Sequence, residues 1–110
     1  MGAVSKEERI KLDNAVVDLL WSHKGKANAV SGSKIAKMLR EMCSADYNYD
    51  SGISPYVRRL MIERRLPICH CHQGYYWAKT KEELLESIQW LEQRMATTQE
   101  TIEHLQSFVF

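Results

Sequence analysis

Two sets of apolar residues in the first half of the chain recur three or four positions apart, the spacing of one helical face. They are Leu12, Val16, Leu19 and Leu20 in a first helix, and Ile35, Leu39 and Met42 in a second. Ser5 and Glu8 form a capping box before the first helix, and Gly25 is placed to end it. The second helix is predicted to begin at Ser33. Both apolar faces are expected to pack in a core.

A third helix and a β-hairpin are predicted after a turn-rich connection at residues 43–52. Ser54 suits the N-cap and Pro55 the first helical position, and the apolar face contains Val57, Leu60 and Met61. Residues 67–72 and 75–78 are strand-forming runs around a turn predicted at residues 73–74. Alternation along the second strand predicts Tyr75 and Trp77 on one face and Tyr76 on the other.

Three motifs in this region resemble those of a known family, in the order Val57-Arg-Arg-Leu, Arg65-Leu-Pro-Ile and Gly74-Tyr-Tyr-Trp-Ala. The chain resembles winged helix-turn-helix DNA-binding proteins over residues 31–80, particularly the small proteins carried by phages and prophages. The resemblance implies a mainly α fold with a small β-hairpin, and double-stranded DNA binding in phage gene regulation or DNA replication. Winged helices also act as protein–protein interaction modules, so this alternative function stays open.

The charge of the chain changes sign along its length, although the net charge is only +1. Residues 31–81 contain nine Lys or Arg against four Asp or Glu, whereas residues 82–110 contain one against six. A basic middle and an acidic end favour a protein of which one part contacts phosphate and the other faces away. Ordinary solvated helix faces are the alternative explanation.

The third helix carries the main candidates for DNA contact. Arg59 projects opposite Val57, Leu60 and Met61 at ~100° per residue, and its guanidinium suits the O6 and N7 edge of guanine. Glu63 is expected either to form an ion pair that orients Arg59 or to accept a hydrogen bond from a cytosine amino group. The alternative is an exposed salt bridge that contributes little to stability. Phosphate contacts are predicted for Arg58 and Arg65. The remaining predicted DNA-binding residues are Ser54, Tyr56, Lys34, Lys37, His72 and Gln73.

A long C-terminal helix is predicted from the capping box of Thr80 and Glu83 to Ser107. Alternating steps of four and three define a seam of Leu84, Ile88, Leu91, Met95, Thr98, Ile102, Leu105 and Val109. A homodimer through Leu91, Met95, Ile102 and Leu105 is expected, in parallel or antiparallel orientation. Packing of the helix against its own domain is the alternative. The predicted division is a winged helix-turn-helix domain at 1–80 and this helix at 81–110.

Two candidate metal sites are rejected on spacing, so no metal or other cofactor is predicted. Strand alternation points Cys69 and Cys71 away from His70 and His72, so the four cannot converge on one ion. Asp46, Asn48 and Asp50 match the start of a calcium loop, but Ser51 and Val57 stand where Gly and Glu are required. The three cysteines, Cys43, Cys69 and Cys71, do not form a disulfide framework.

The remaining sequence features indicate a single soluble domain in the cytoplasm. No run approaches the ~20 apolar residues of a membrane span, and the N-terminus lacks a signal-peptide pattern. No glycine-rich phosphate loop or nucleophile–histidine–acid motif occurs, so no enzymatic activity and no small-molecule substrate are predicted.

Overall fold

The computed structural model describes residues 5–42 and 52–109 of the chain. This part is mainly helical, with one two-stranded antiparallel hairpin and a long C-terminal helix. Its elements in order are α1 (Lys6–Trp21), a short 3-10 turn (Lys26–Asn28), α2 (Gly32–Met42), α3 (Ile53–Arg64), β1 (Ile68–Cys71), β2 (Gly74–Trp77) and α4 (Lys81–Gln106). The rejected calcium loop at residues 46–57 begins outside the described residues.

Side-chain caps define where two of the helices begin. The backbone N–H of Glu8 donates to Ser5 Oγ at 3.1 Å, which confirms the predicted start of α1. Helix α1 ends at Trp21 rather than near Gly25, because the backbone groups of His23 and Gly25 form hydrogen bonds with Trp77 instead of continuing the helix. Helix α2 begins at Gly32, one residue before the predicted start.

The core lies between α1, α2, α3 and the hairpin. Its most deeply buried side chains are Leu12, Leu20, Ile35, Leu39, Leu60, Val16 and Val57. The predicted apolar faces of α1 and α2 therefore do form the core, apart from Met42, whose exposed fraction of 40% places it at the surface. The last turn of α2 thus extends past the edge of the core.

The hairpin has a two-residue loop formed by His72 and Gln73. Cys71 pairs with Gly74 and Ile68 with Trp77, so the predicted turn at residues 73–74 is wrong by one position. Gly74 has a φ of +134°, and a Cβ there would collide with the carbonyl oxygen of Val30. Close backbone approach, as well as conformation, therefore requires glycine at this position.

The free edge of β2 is covered by the segment that connects α1 with α2. Val30 and Tyr75 exchange two backbone hydrogen bonds of 2.8 Å, and the N–H of Trp77 donates to His23 O at 2.9 Å. These bonds satisfy backbone groups that an open sheet edge would expose. The hairpin is consequently held against the helical body along its length.

Helix α4 leaves the body from a polar anchor. The Glu83 N–H donates to Thr80 Oγ1, which confirms the predicted capping box. The Glu83 carboxylate accepts from the backbone N–H groups of Lys79 at 2.7 Å and Lys26 at 2.9 Å. No residue of α4 is buried, and no helix in the described part of the chain is long and apolar enough to cross a membrane.

Candidate nucleic-acid interface

Burial of one side of α3 determines which of its residues face outward. Tyr56, Val57 and Leu60 are all less than 5% exposed. Projection at ~100° per residue places Arg58 and Ile62 opposite this buried side. Ile62 is 57% exposed, and Arg58 is also exposed. The centre of the outward face therefore lies at Arg58 and Ile62, and the expectation that Arg59 occupies it is wrong.

The buried contact of Tyr56 agrees with this orientation of α3, in which Arg58 rather than Arg59 faces outward. Its ring is buried, and its hydroxyl donates to Asp13 Oδ1 of α1 at 2.6 Å. Asp13 is itself 7% exposed, and a buried carboxylate requires such a partner. The prediction that Tyr56 contacts DNA is corrected, since the side chain belongs to the core.

Arg59 is held by carboxylates and a ring on its own side of the protein. Its Nη1 donates to Glu63 Oε2 at 3.0 Å, which confirms the predicted ion pair, and its Nη2 lies 3.9 Å from Asp13 Oδ1. The guanidinium carbon lies 5.3 Å from the centre of the Tyr56 ring. These contacts orient Arg59 along the body rather than straight outward.

The beginning of α3 differs from the prediction. Ile53 is the first helical residue and Gly52 the N-cap, so Ser54 lies within the helix and is not its cap. The Ser54 hydroxyl is 2.6 Å from the hydroxyl of Tyr75. This hydrogen bond joins the first turn of α3 to β2. The contact leaves the Ser54 hydroxyl engaged, although the residue as a whole is exposed.

Arg58 of α3 and Arg65, the residue that follows the helix, are exposed cations without a carboxylate partner. Within residues 5–42 and 52–109, neither has a carboxylate within 4.0 Å. Arg64, by contrast, donates to Asn14 Oδ1 of α1 at 2.7 Å. Arg65 caps the helix in the left-handed conformation, with φ 56° and ψ 55°. Glycine is the usual residue in this conformation, so an arginine there carries conformational strain.

The predicted contacts from α2 and the hairpin lie on the surface. Lys34 is exposed, and its backbone N–H is bound to Ser31 Oγ at 3.1 Å. Lys37 and Glu41 are 4.0 Å apart with both side chains at least two-thirds exposed, so their attraction is weak. At the hairpin tip both His72 and Gln73 are exposed. All four side chains, two lysines on α2 and two residues at the hairpin tip, are therefore accessible to a ligand.

The cysteines and histidines of the hairpin do not converge. Cys69 is buried, Cys71 is half-buried, and both His70 and His72 are exposed. His70 stacks on Tyr75 with 4.6 Å between ring centres, and partial burial lowers the pKa of its imidazole, with Arg94 nearby adding to the effect. The described residues contain no group of three or more His, Cys, Asp or Glu placed to hold a metal.

A groove of 730 Å³ separates the hairpin from the first half of α4. The positive charge of Lys26 in this groove is neutralised by Glu86, because Lys26 Nζ lies 2.6 Å from Glu86 Oε1. The hydrogen bond to Glu86 also raises the pKa of Lys26. Arg94 lies over the Trp90 ring at 5.2 Å. The groove therefore presents less free positive charge than the outward face of α3.

The predicted dimerisation residues are exposed on α4. Their exposed fractions are 55% for Leu91, 69% for Met95, 41% for Ile102 and 64% for Leu105. A different stripe of the helix, which contains Ser87, Trp90 and Arg94, lines the groove beside the hairpin, and Trp90 lies edge-on to the His70 ring with 6.3 Å between ring centres. This part of the chain consequently does not cover its own seam.

Comparison of the chain with protein-family models, with curated proteins and with solved structures found no match.

Proposed function

We propose that this protein binds double-stranded DNA as a winged helix-turn-helix, with the outward face of α3 in the major groove. The order α1, α2, α3 and hairpin supports the proposal, as does the basic charge of residues 31–81. Phage gene regulation or DNA replication is the setting that the family resemblance implies.

The observation that carries the proposal is the pair of unpaired cations on α3. Arg58 stands at the centre of the outward face, and Arg65 lies about two turns further along, at the C-cap of the helix. An arginine without a carboxylate partner has its full fork of donors available for a guanine edge or a phosphate. Arg58 therefore takes the base-contacting role and Arg65 a phosphate-contacting one.

Lys34 and Lys37 of α2 add further positive charge for phosphates. His72 and Gln73, at the hairpin tip, contribute contacts to the sugar–phosphate backbone that are independent of sequence. Ile62, between the two arginines, offers an apolar surface that fits a thymine methyl group.

The test compares Arg58→Ala with Arg59→Ala in fluorescence anisotropy with duplex DNA at several salt concentrations. Arg58→Ala is expected to weaken binding by about 1 to 3 kcal/mol, whereas Arg59→Ala has the smaller effect on affinity because its guanidinium is held by Glu63. Lys11→Ala, which removes the same charge from the outward side of α1, is the control. Equal effects of all three substitutions would show that charge alone matters and contradict this orientation of α3.

A protein–protein interaction module is the second candidate, favoured by the 57% exposure of Ile62. An exposed isoleucine at the centre of a helix face also suits an apolar partner surface. DNA binding predicts a steep loss of affinity with salt, because bound phosphates release counterions. Absence of duplex binding by the folded wild-type protein at low salt would favour the interaction module.

A further inference from the structure

The outer face of α4 presents a continuous apolar seam to solvent. Six of its residues range from 37% to 69% exposed, namely Leu84, Ile88, Leu91, Met95, Ile102 and Leu105. The predicted seam ran on to Val109, which lies past the end of α4 at Gln106. The stripe that faces the hairpin lies about 100° around the helix from this seam. The body of the protein therefore neither covers the seam nor stands in front of it.

The kinds of side chain along the seam differ between its two alternating positions. One position holds the β-branched residues Ile88 and Ile102, with Met95 between them. The other holds Leu84, Leu91 and Leu105, with Thr98 as the exception. In parallel coiled coils, β-branched residues at the first position and leucine at the second favour two strands over three or four.

Thr98 does not interrupt the seam with an unsatisfied polar group. Its hydroxyl donates to the carbonyl oxygen of Arg94 in the preceding turn at 2.8 Å. The hydrogen bond satisfies the hydroxyl within the helix, so burial of this position against a partner leaves no donor unpaired. The seam thus stays compatible with a dry interface through its centre.

The charges of α4 are placed so that two copies can approach. This helix is acidic, yet most of its glutamates, Glu82, Glu83, Glu86, Glu100 and Glu103, lie at positions that a coiled coil leaves facing solvent. The flanking positions next to the seam carry only Glu92 and Arg94 as charged residues. Two copies therefore meet along the seam without facing rows of like charge.

We propose that α4 pairs with the α4 of a second copy of this chain in a parallel two-stranded coiled coil. The two bodies then lie at the same end of the coiled coil, on opposite flanks of its two-fold axis. This inference rests on the seam and does not require DNA binding. Where both proposals hold, the protein carries two α3 helices in a symmetric arrangement suited to two half-sites.

The first experiment measures mass in solution by sedimentation equilibrium. The wild-type protein is expected at twice the chain mass of 12.8 kDa, and Ile102→Asp/Leu105→Asp at the chain mass itself. Gln93→Asp/Ala96→Asp adds the same charges to the same helix away from the seam and should remain dimeric. A wild-type monomer at every concentration tested, or a dimeric Ile102→Asp/Leu105→Asp variant, would overturn the proposal.

The second experiment determines orientation by disulfide formation in a Cys43→Ser/Cys71→Ser background. A parallel coiled coil places Leu105 beside its counterpart, so Leu105→Cys should form a covalent dimer on mild oxidation, while Glu103→Cys on the solvent side should not. In the antiparallel register that aligns the seam with itself, Leu105 lies opposite Ile88 and about 25 Å from its counterpart. A mixed disulfide between an Ile88→Cys chain and a Leu105→Cys chain, without the Leu105→Cys self-disulfide, would refute the parallel arrangement.

Discussion

Tyr56→Phe removes the hydroxyl that sets the rotation of α3. The hydroxyl donates to a carboxylate oxygen of Asp13 at 2.6 Å, and Asp13 is only 7% exposed, so water is poorly placed to replace the bond. Hydrogen bonds to charged groups contribute about 1.5 to 3 kcal/mol to stability. The guanidinium of Arg59, 3.9 Å from Asp13 Oδ1, still stabilises the carboxylate when the Tyr56 hydroxyl is removed. We therefore expect the free energy of unfolding to fall by about 2 kcal/mol.

Urea denaturation at fixed protein concentration measures this loss, and a double-mutant cycle assigns it to the pair. Asp13→Ala alone leaves the Tyr56 hydroxyl without this acceptor, so the double variant should cost clearly less than the sum of the single variants. Tyr75→Phe is the matched control, because its hydroxyl pairs with the neutral hydroxyl of Ser54 and should cost only about 1 kcal/mol. Additive costs at Tyr56 and Asp13, or a larger loss in Tyr75→Phe, would refute the reasoning.

Three further predictions concern the hairpin, the end of α3 and the anchor of α4. Gly74→Ala should lower the free energy of unfolding, measured by urea denaturation, by about 3 kcal/mol or more. The added Cβ would collide with the backbone of Val30, and the positive φ of Gly74 is unfavourable for alanine. Near-wild-type stability would contradict this close approach. Arg65→Gly should raise or preserve the melting temperature, because glycine adopts the left-handed conformation without strain, and it should weaken DNA binding. Unchanged DNA affinity would remove Arg65 from the interface. Backbone N–H groups of Lys26 and Lys79 lower the pKa of Glu83, so its contribution to stability is present at neutral pH and is lost as the pH falls through the usual glutamate pKa toward the lowered one. Melting curves of Glu83→Gln should therefore show a shallower decline in acid than those of the wild type.

Local signals in the sequence were sufficient to predict the regular elements. The hydroxyl of Ser5 and that of Thr80 cap helices where the capping boxes indicated, and the hairpin follows α3 as expected. Such signals act within a few residues, so they can be read without knowledge of the tertiary fold. The exact turn was misplaced because Gly74 is required by a backbone from outside the hairpin, that of Val30.

The candidate interface was less predictable, since it depends on one long-range hydrogen bond. Tyrosine is compatible with either a surface or a core, and the apolar spacing of α3 alone points the helix toward Arg59. The buried carboxylate of Asp13, 43 positions away, attracts the Tyr56 hydroxyl and moves Arg58 to the centre of the outward face. The sequence pattern does not show that Asp13 and Tyr56 lie close together. Only the fold therefore determines which arginine faces outward without a partner.

Glu83 holds the beginning of α4 against the body, and the rest of the helix projects from this fixed end. One carboxylate is bonded both to the loop before α2 and to the end of the hairpin, so the arm cannot change direction without breaking contacts on two sides of the body. Its 26 residues give a length of about 39 Å, and a tilt of about 10° at the base would displace the far end by about 7 Å. The position of the far end of α4 is therefore decided within its first three turns, where Glu83, the Lys26–Glu86 ion pair and the contact of Trp90 with His70 hold the helix.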